Sequence, residues 1–170
     1  MRASLLAVSL ATAMAAAPRP KLVVLVVAEQ FRADYLDRHQ AAFSAGGFRK
    51  LMQGGARFRE CRYDYAATYP APGAAVLATG AYPERNGIVA EQWYDRRTKR
   101  LVRASEGAEA GASPRRLVGT TLADQLRLAS GGRARTVSIS LRDQTAVMLG
   151  GRQPIGCYWM DEAGRFVTSA

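Results

Sequence analysis

The run Gly73-Ala-Ala-Val-Leu-Ala-Thr79, entered through Pro72 and closed by Gly80, leaves little choice of local structure. Proline is at home in a first helical turn, where its missing amide hydrogen has no partner to lose, and glycine accepts the left-handed conformation that ends a helix. Small residues between them predict a short helix that packs closely on all sides. It lies in the middle of a longer stretch, Tyr63 to Asp95, which reads as the end of a strand, a turn, the helix and a long ordered loop. Free amides and the positive end of the helix dipole suit the helix start to an anion. That geometry is shared by many folds.

The flanks add a pattern. Leu22 to Val27 is an unbroken aliphatic run, as in a strand buried on both faces of a parallel sheet, and it ends at Glu29. Open α/β sheets place ligands at such strand ends, so Glu29 stands where a ligand would bind, or merely caps the next turn. Phe31 to Arg38 and Phe48 to Gln53 read as helical pieces, and Arg57 to Tyr65 as the next strand. His39, the chain's single histidine, reads as a surface residue. Gln92 to Asp95 and Leu101 to Arg103 predict a hairpin around a basic turn, followed by a surface loop over 105–114. Thr120 or Thr121 caps a helix through Leu128, with Leu122, Leu126 and Ala129 on one face and Gly131-Gly132 ending it. Arg135 to Leu141 reads as a buried strand, and Cys157 to Met160 with Arg165 to Thr168 as a final hairpin. Strand, helix and strand in this order predict an α/β class with a parallel sheet.

Three stretches are specific beyond their periodicity: 26–36, the central 63–95, and 140–151, Ser-Leu-Arg-Asp-Gln-Thr-Ala-Val-Met-Leu-Gly-Gly. In order and spacing they resemble the alkaline phosphatase superfamily. The similarity is to the branch of type I phosphodiesterase/nucleotide pyrophosphatase-like bacterial phosphatases that includes the phosphate-irrepressible enzymes, and it runs from about Lys21 to the last residue. The resemblance implies an alkaline-phosphatase-like, mostly parallel sheet flanked by helices, here incomplete, with residues 18–170 supplying the N-terminal portion of the domain. It also implies two zinc ions, held by aspartates and several histidines mostly from later in the fold. With one histidine this chain does not complete that set, so stoichiometric zinc is not expected from it. A second chain carrying the missing ligands is the partner this implies, with phosphate esters as substrates if the assembly is active.

Carried over residue by residue, the family's hydroxyl nucleophile falls on Pro70, which has no nucleophilic atom; covalent phosphoryl transfer needs one. Thr68, two residues upstream, is the fallback if the alignment slips. The histidine after the glycine of that turn falls on Ala74, and the metal-binding aspartate of the first strand on Glu29. An asparagine that donates to a phosphate oxygen falls on Glu91, whose carboxylate repels an anion. The lysine and arginine that clamp phosphate fall on Arg142 and Gln144, which keeps one cation in a different shape and loses the other. The expectation is a catalytically silent relative; the alternatives are one half of a split phosphatase completed by a partner chain, and a non-catalytic phosphate- or anion-binding module using Arg142 and the amides before Ala75, against which Glu91 argues.

Met1 to Ala17 has one basic residue, an apolar run and Ala13-Met14-Ala15 as a small-x-small cleavage site, which predicts a secretory signal peptide, a periplasmic or secreted product, and no membrane association after cleavage. Export would place Cys61 and Cys157 where thiols oxidise, and both a disulfide and two buried free thiols remain open. The formal charge is +10, but the arginines are scattered apart from Arg96-Arg97-Thr98-Lys99-Arg100. No module or aromatic-basic interleaving accompanies them, which argues against nucleic-acid binding.

Overall fold

The computed structural model describes residues 20–107 and 111–168. The signal-peptide reading of Met1 to Ala17 lies outside them. The chain forms two compact units, Met1–Phe43 and Ser44–Ala170.

In the first unit, α1 (Tyr35–Arg38) is followed by a 3-10 turn at Gln40–Ala42. Arg32 Nε and Nη2 donate to the two carboxylate oxygens of Asp34, each at 3.0 Å. The exposed His39 ring meets Tyr35 edge-on at 5.4 Å, a surface setting as expected. The aliphatic run does not form the predicted strand. Residues 22–27 have no ladder partner among the described residues, and Leu22, Val24 and Val26 are 70–82% exposed. A strand buried on both faces needs a neighbour on each side, and this unit supplies none among its described residues.

The second unit begins with α2 (Gly47–Gly54) and leads to α3 (Pro70–Thr79). α3 starts three residues before the predicted run, with Tyr69 as extended N-cap and Pro70 at the first helical position. Both Pro70 and Pro72 fit there because the first helical amides have no intrahelical acceptor. Gly80 closes it at φ 66°, donating to the Val76 carbonyl at 2.8 Å. Ala71, Ala74, Ala75, Val76 and Ala78 are buried, as the sequence predicts. The alternation of 57–65 forms no strand; Tyr63, Tyr65 and Tyr82 instead pack ring against ring at 5.5–5.8 Å.

After α4 (Pro83–Asn86), the fully buried Asn86 holds the loop on both sides. Its Nδ2 donates to the Ala81 carbonyl at 2.7 Å, its Oδ1 accepts from Ile88 N at 2.9 Å, and its carbonyl accepts from Val118 N at 2.8 Å. β1 (Gln92–Asp95) and β2 (Arg100–Arg103) form the predicted antiparallel hairpin. The loop after β2 is less superficial than its composition suggests, since Ser105 is 1% exposed and Glu106 bridges to Ala112. Arg116 lies beneath it, with Nη2 3.0 Å from Glu106, Nη1 3.7 Å from Asp95 and its guanidinium over the Trp93 ring.

α5 (Leu122–Ala129) begins at a full capping box: Thr121 Oγ1 accepts from Asp124 N at 3.1 Å, and Asp124 Oδ2 accepts from Thr121 N at 2.9 Å. β3 (Val137–Ser140), α6 (Asp143–Gly150) and β4 (Gly156–Met160) form a strand–helix–strand unit in which β3 and β4 are parallel; β5 (Phe166–Val167) adds antiparallel to β4. β3 is at the edge of this three-stranded sheet and is not buried on both faces as predicted. Ser138 points inward while Val137 and Ile139 are exposed, the alternation of a one-sided strand. α6 packs on α3 and on both parallel strands, and the core gathers Ala71, Ala74, Ala75, Ile88, Leu117, Val147 and Met148. The cysteines are not bonded: Cys61 is exposed, and Cys157 is buried with its Sγ 3.5 Å from the Ala146 carbonyl. Burial pushes the Cys157 thiol pKa up. Among the described residues no helix is long and apolar enough to cross a membrane.

Candidate active-site cleft

The end of β3 and the start of α6 form one wall of a cleft of about 640 Å³, and the segment entering β1, Arg103 at the end of β2, and the end of β4 with the β4–β5 turn form the rest. Three of the positions singled out in the sequence, Glu91, Arg142 and Gln144, converge on it. Arg142 is the extended N-cap of α6, with Nη1 3.8 Å from Glu91 Oε1. Gln144, 7% exposed, reaches with Nε2 toward the Glu91 carbonyl at 3.5 Å, and its Oε1 is buried with no hydrogen-bond partner.

The other positions are arranged differently. Pro70 is half-buried at the start of α3 and does not line the cleft. Thr68 is exposed in the preceding loop, Ala74 is 3% exposed in the core, and Glu29 is exposed in the first unit. Among the described residues, no three His, Cys, Asp or Glu side chains gather as a metal site would require. The donors among the described residues therefore do not fit a two-zinc centre.

Several lining residues were not singled out from the sequence. Asp143, at the first position of α6, accepts from Arg103 Nη2 and from the Ser105 hydroxyl. Asp161 accepts from the Arg165 and Ala163 amides and the Arg165 guanidinium; the Arg165 amide foremost holds its carboxyl below the usual range. Trp159 and Glu162 complete that wall. A signal for α6 was present: Asp143 followed by an apolar run ending in Gly150-Gly151, the closing glycine that also ends α3.

Fold and cleft together define an α/β portion in which Glu91, Arg142 and Gln144 meet at one cleft. The family model for type I phosphodiesterase / nucleotide pyrophosphatase matches residues 23–156. Alkaline phosphatase PafA of Elizabethkingia meningoseptica is 35% identical over 166 residues, covering 91% of this chain and 30% of the relative. Alkaline phosphatase PhoV of Synechococcus elongatus is 36% identical over 162 residues, covering 89% and 30%. The crystal structure of wild-type alkaline phosphatase PafA superposes with a TM-score of 0.84 at 34% identity, over 90% of this chain and 32% of that one. A PafA variant with a threonine, an asparagine, a lysine and an arginine replaced gives 0.85. The chain belongs to the type I phosphodiesterase/nucleotide pyrophosphatase family. It spans about 30% of the length of the curated relatives it matches.

Proposed function

We propose that this chain is a catalytically silent N-terminal portion of an exported, metal-dependent phosphate-ester hydrolase. The observation that carries the reading is Pro70 at the first position of α3, where the family resemblance requires a hydroxyl. Its ring nitrogen is an amide within the chain, so no atom of the side chain attacks phosphorus or holds a metal as an alkoxide. The assignment is supported by intervals: the threonine and asparagine of the PafA variant are as far apart as Pro70 and Glu91, and its lysine and arginine stand two apart, as do Arg142 and Gln144. Glu91 reinforces the reading, because its carboxylate faces the one cation kept there and repels a phosphoryl group.

The test is zinc content by elemental analysis of the purified chain, together with hydrolysis of an aryl phosphate monoester and diester in added zinc. The expected result is no stoichiometric metal and no turnover. Two bound metals with turnover would overturn it and point to Thr68.

A second reading, one half of an enzyme completed by another chain that supplies the missing histidines and aspartates, is favoured by exposed apolar surface. Val137, Ile139 and Leu141 are 54–70% exposed along the open edge of the sheet. A soluble, monodisperse monomer in sedimentation would count against it.

A further inference from the structure

The β1–β2 hairpin sorts its charges by side. Its carboxylate Asp95 and that of Glu106 in the following loop are both engaged from beneath: Arg116 Nη1 lies 3.7 Å from Asp95, and Glu106 takes Arg116 Nη2 at 3.0 Å together with Arg100 Nη2. The four-residue tip between the strands holds three cations and a threonine. Arg96, Arg97 and Lys99 are exposed, and none of them forms an ion pair among the described residues. The tip keeps one shape, because Asp95 Oδ1 accepts from Arg97 N at 2.9 Å and from Thr98 N at 3.2 Å, and Lys99 turns the chain at φ 53°. This is the one cluster of cations in a sequence whose arginines are otherwise scattered.

The independent observation lies beside the tip. Tyr94 and Leu101 face each other across the ladder and are 58% and 65% exposed, whereas Val102, pointing to the other side of the hairpin, is 2% exposed. An aromatic ring with a polar tip and a leucine, both free and bordering three cations, suit a boundary between charged headgroups and acyl chains. The formal charge of +10 favours an extended anionic plane over a compact acidic partner, since scattered arginines add to the attraction of a plane. The sequence expectation of no membrane association rested on the want of a second apolar span, and a surface contact needs none.

We propose that the β1–β2 hairpin docks on the surface of an anionic lipid bilayer, with Arg96, Arg97 and Lys99 among the headgroups and Tyr94 and Leu101 at the acyl boundary. The contact is made at the end of the hairpin away from Gln92 and Arg103, which line the cleft, and it is independent of whether the chain has turnover.

The test is co-sedimentation of the full chain at low salt with vesicles of phosphatidylcholine alone and of phosphatidylcholine mixed with phosphatidylglycerol. The readout is the ratio of the two affinities, from which any apolar contribution common to both vesicles cancels. Arg96→Gln, Arg97→Gln and Lys99→Gln together should lower that ratio roughly twentyfold or more, from about fivefold per cation near an anionic surface. A variant of equal net charge, Lys50→Gln with Arg133→Gln and Arg135→Gln, should lower it no more than about threefold. Tyr94→Thr with Leu101→Thr should weaken binding to the anionic vesicles about fivefold at unchanged charge. All eight side chains are exposed, so the variants fold normally. A ratio near unity for the parent, equal losses in the tip and control variants, or undiminished binding after replacement of Tyr94 and Leu101 would each overturn the proposal. Binding of poly-L-glutamate in solution without a preference for anionic vesicles would also overturn it, and would make the partner an acidic protein.

Discussion

Arg103 and Asp143, forty residues apart, are joined across the fold: Arg103 Nη2 donates to Oδ1 at 3.2 Å and to Oδ2 at 3.0 Å. The pair ties the β1–β2 hairpin to the first turn of α6, and the buried Ser105 hydroxyl donates to the same carboxylate at 2.8 Å. The exposed arginine contributes little by itself. Asp143→Ala has a larger effect because it leaves Ser105 buried without its acceptor, at a cost of about 1–3 kcal/mol. A lower denaturant midpoint with an unchanged slope is expected; Asp143→Ala combined with Ser105→Ala should recover part of the loss.

Gly150 approaches β3 and β4 so closely that an added Cβ would overlap Cys157 Sγ and lie 3.2 Å from Ser138 Cβ. Gly150→Ala should destabilise by about 1–3 kcal/mol through overpacking. Adding Cys157→Ala removes the overlapping atom, so the double variant should be more stable than Gly150→Ala. A double variant no better than the single would mean that Ser138 or the backbone sets the limit.

The thiols should differ sharply in reactivity. Cys61 is exposed and Cys157 is buried beneath α6 with a raised pKa. A thiol reagent should modify one cysteine per native chain quickly and the second only as the chain unfolds. Two equivalents consumed at once without denaturant would contradict the placement of Cys157.

Asp124 gives the stability an acid limb. Burial pushes its carboxyl pKa up, but the Arg152 and Thr121 amides, the Thr121 hydroxyl and the Arg152 charge together outweigh it and hold the value below the ordinary one. A carboxyl with a folded pKa below its unfolded value stabilises fully above about pH 4 and loses that contribution as pH falls through the folded value. Asp124→Asn should therefore be less stable than the parent at neutral pH, with the difference shrinking toward low pH. A difference that is constant with pH would exclude this origin.

Pro70→Thr should restore no phosphate-ester hydrolysis, because it supplies a hydroxyl and no metal ligands. Steady-state assays with zinc present and with a chelator should give the same background; turnover that depends on zinc would refute the expectation.

How far the sequence could be read depended on how local the determining forces were. α3, the β1–β2 hairpin, α5 and the final hairpin announce themselves through proline and glycine positions, Thr121 and alternating residues, all acting within a few positions. Leu22 to Val27 and Arg57 to Tyr65 failed as strands because a strand is made by its neighbours, and no neighbour is encoded in the run itself. Glu91, Arg142 and Gln144 were found through motif spacing, and their meeting in one cleft followed the same logic. Asp143, Glu162 and the lone Gln144 acceptor were beyond sequence reading, because their significance lies in distances across the fold.

Ala74 bears on the silent reading proposed above through its packing. The residue that the resemblance assigns to an active-site histidine is 3% exposed and belongs to the core cluster with Ile88, Leu117, Val147 and Met148. An imidazole there would need space that the core has closed and polar partners that its apolar neighbours do not provide. Packing around Ala74 thus closes this face of α3 to any larger or polar side chain.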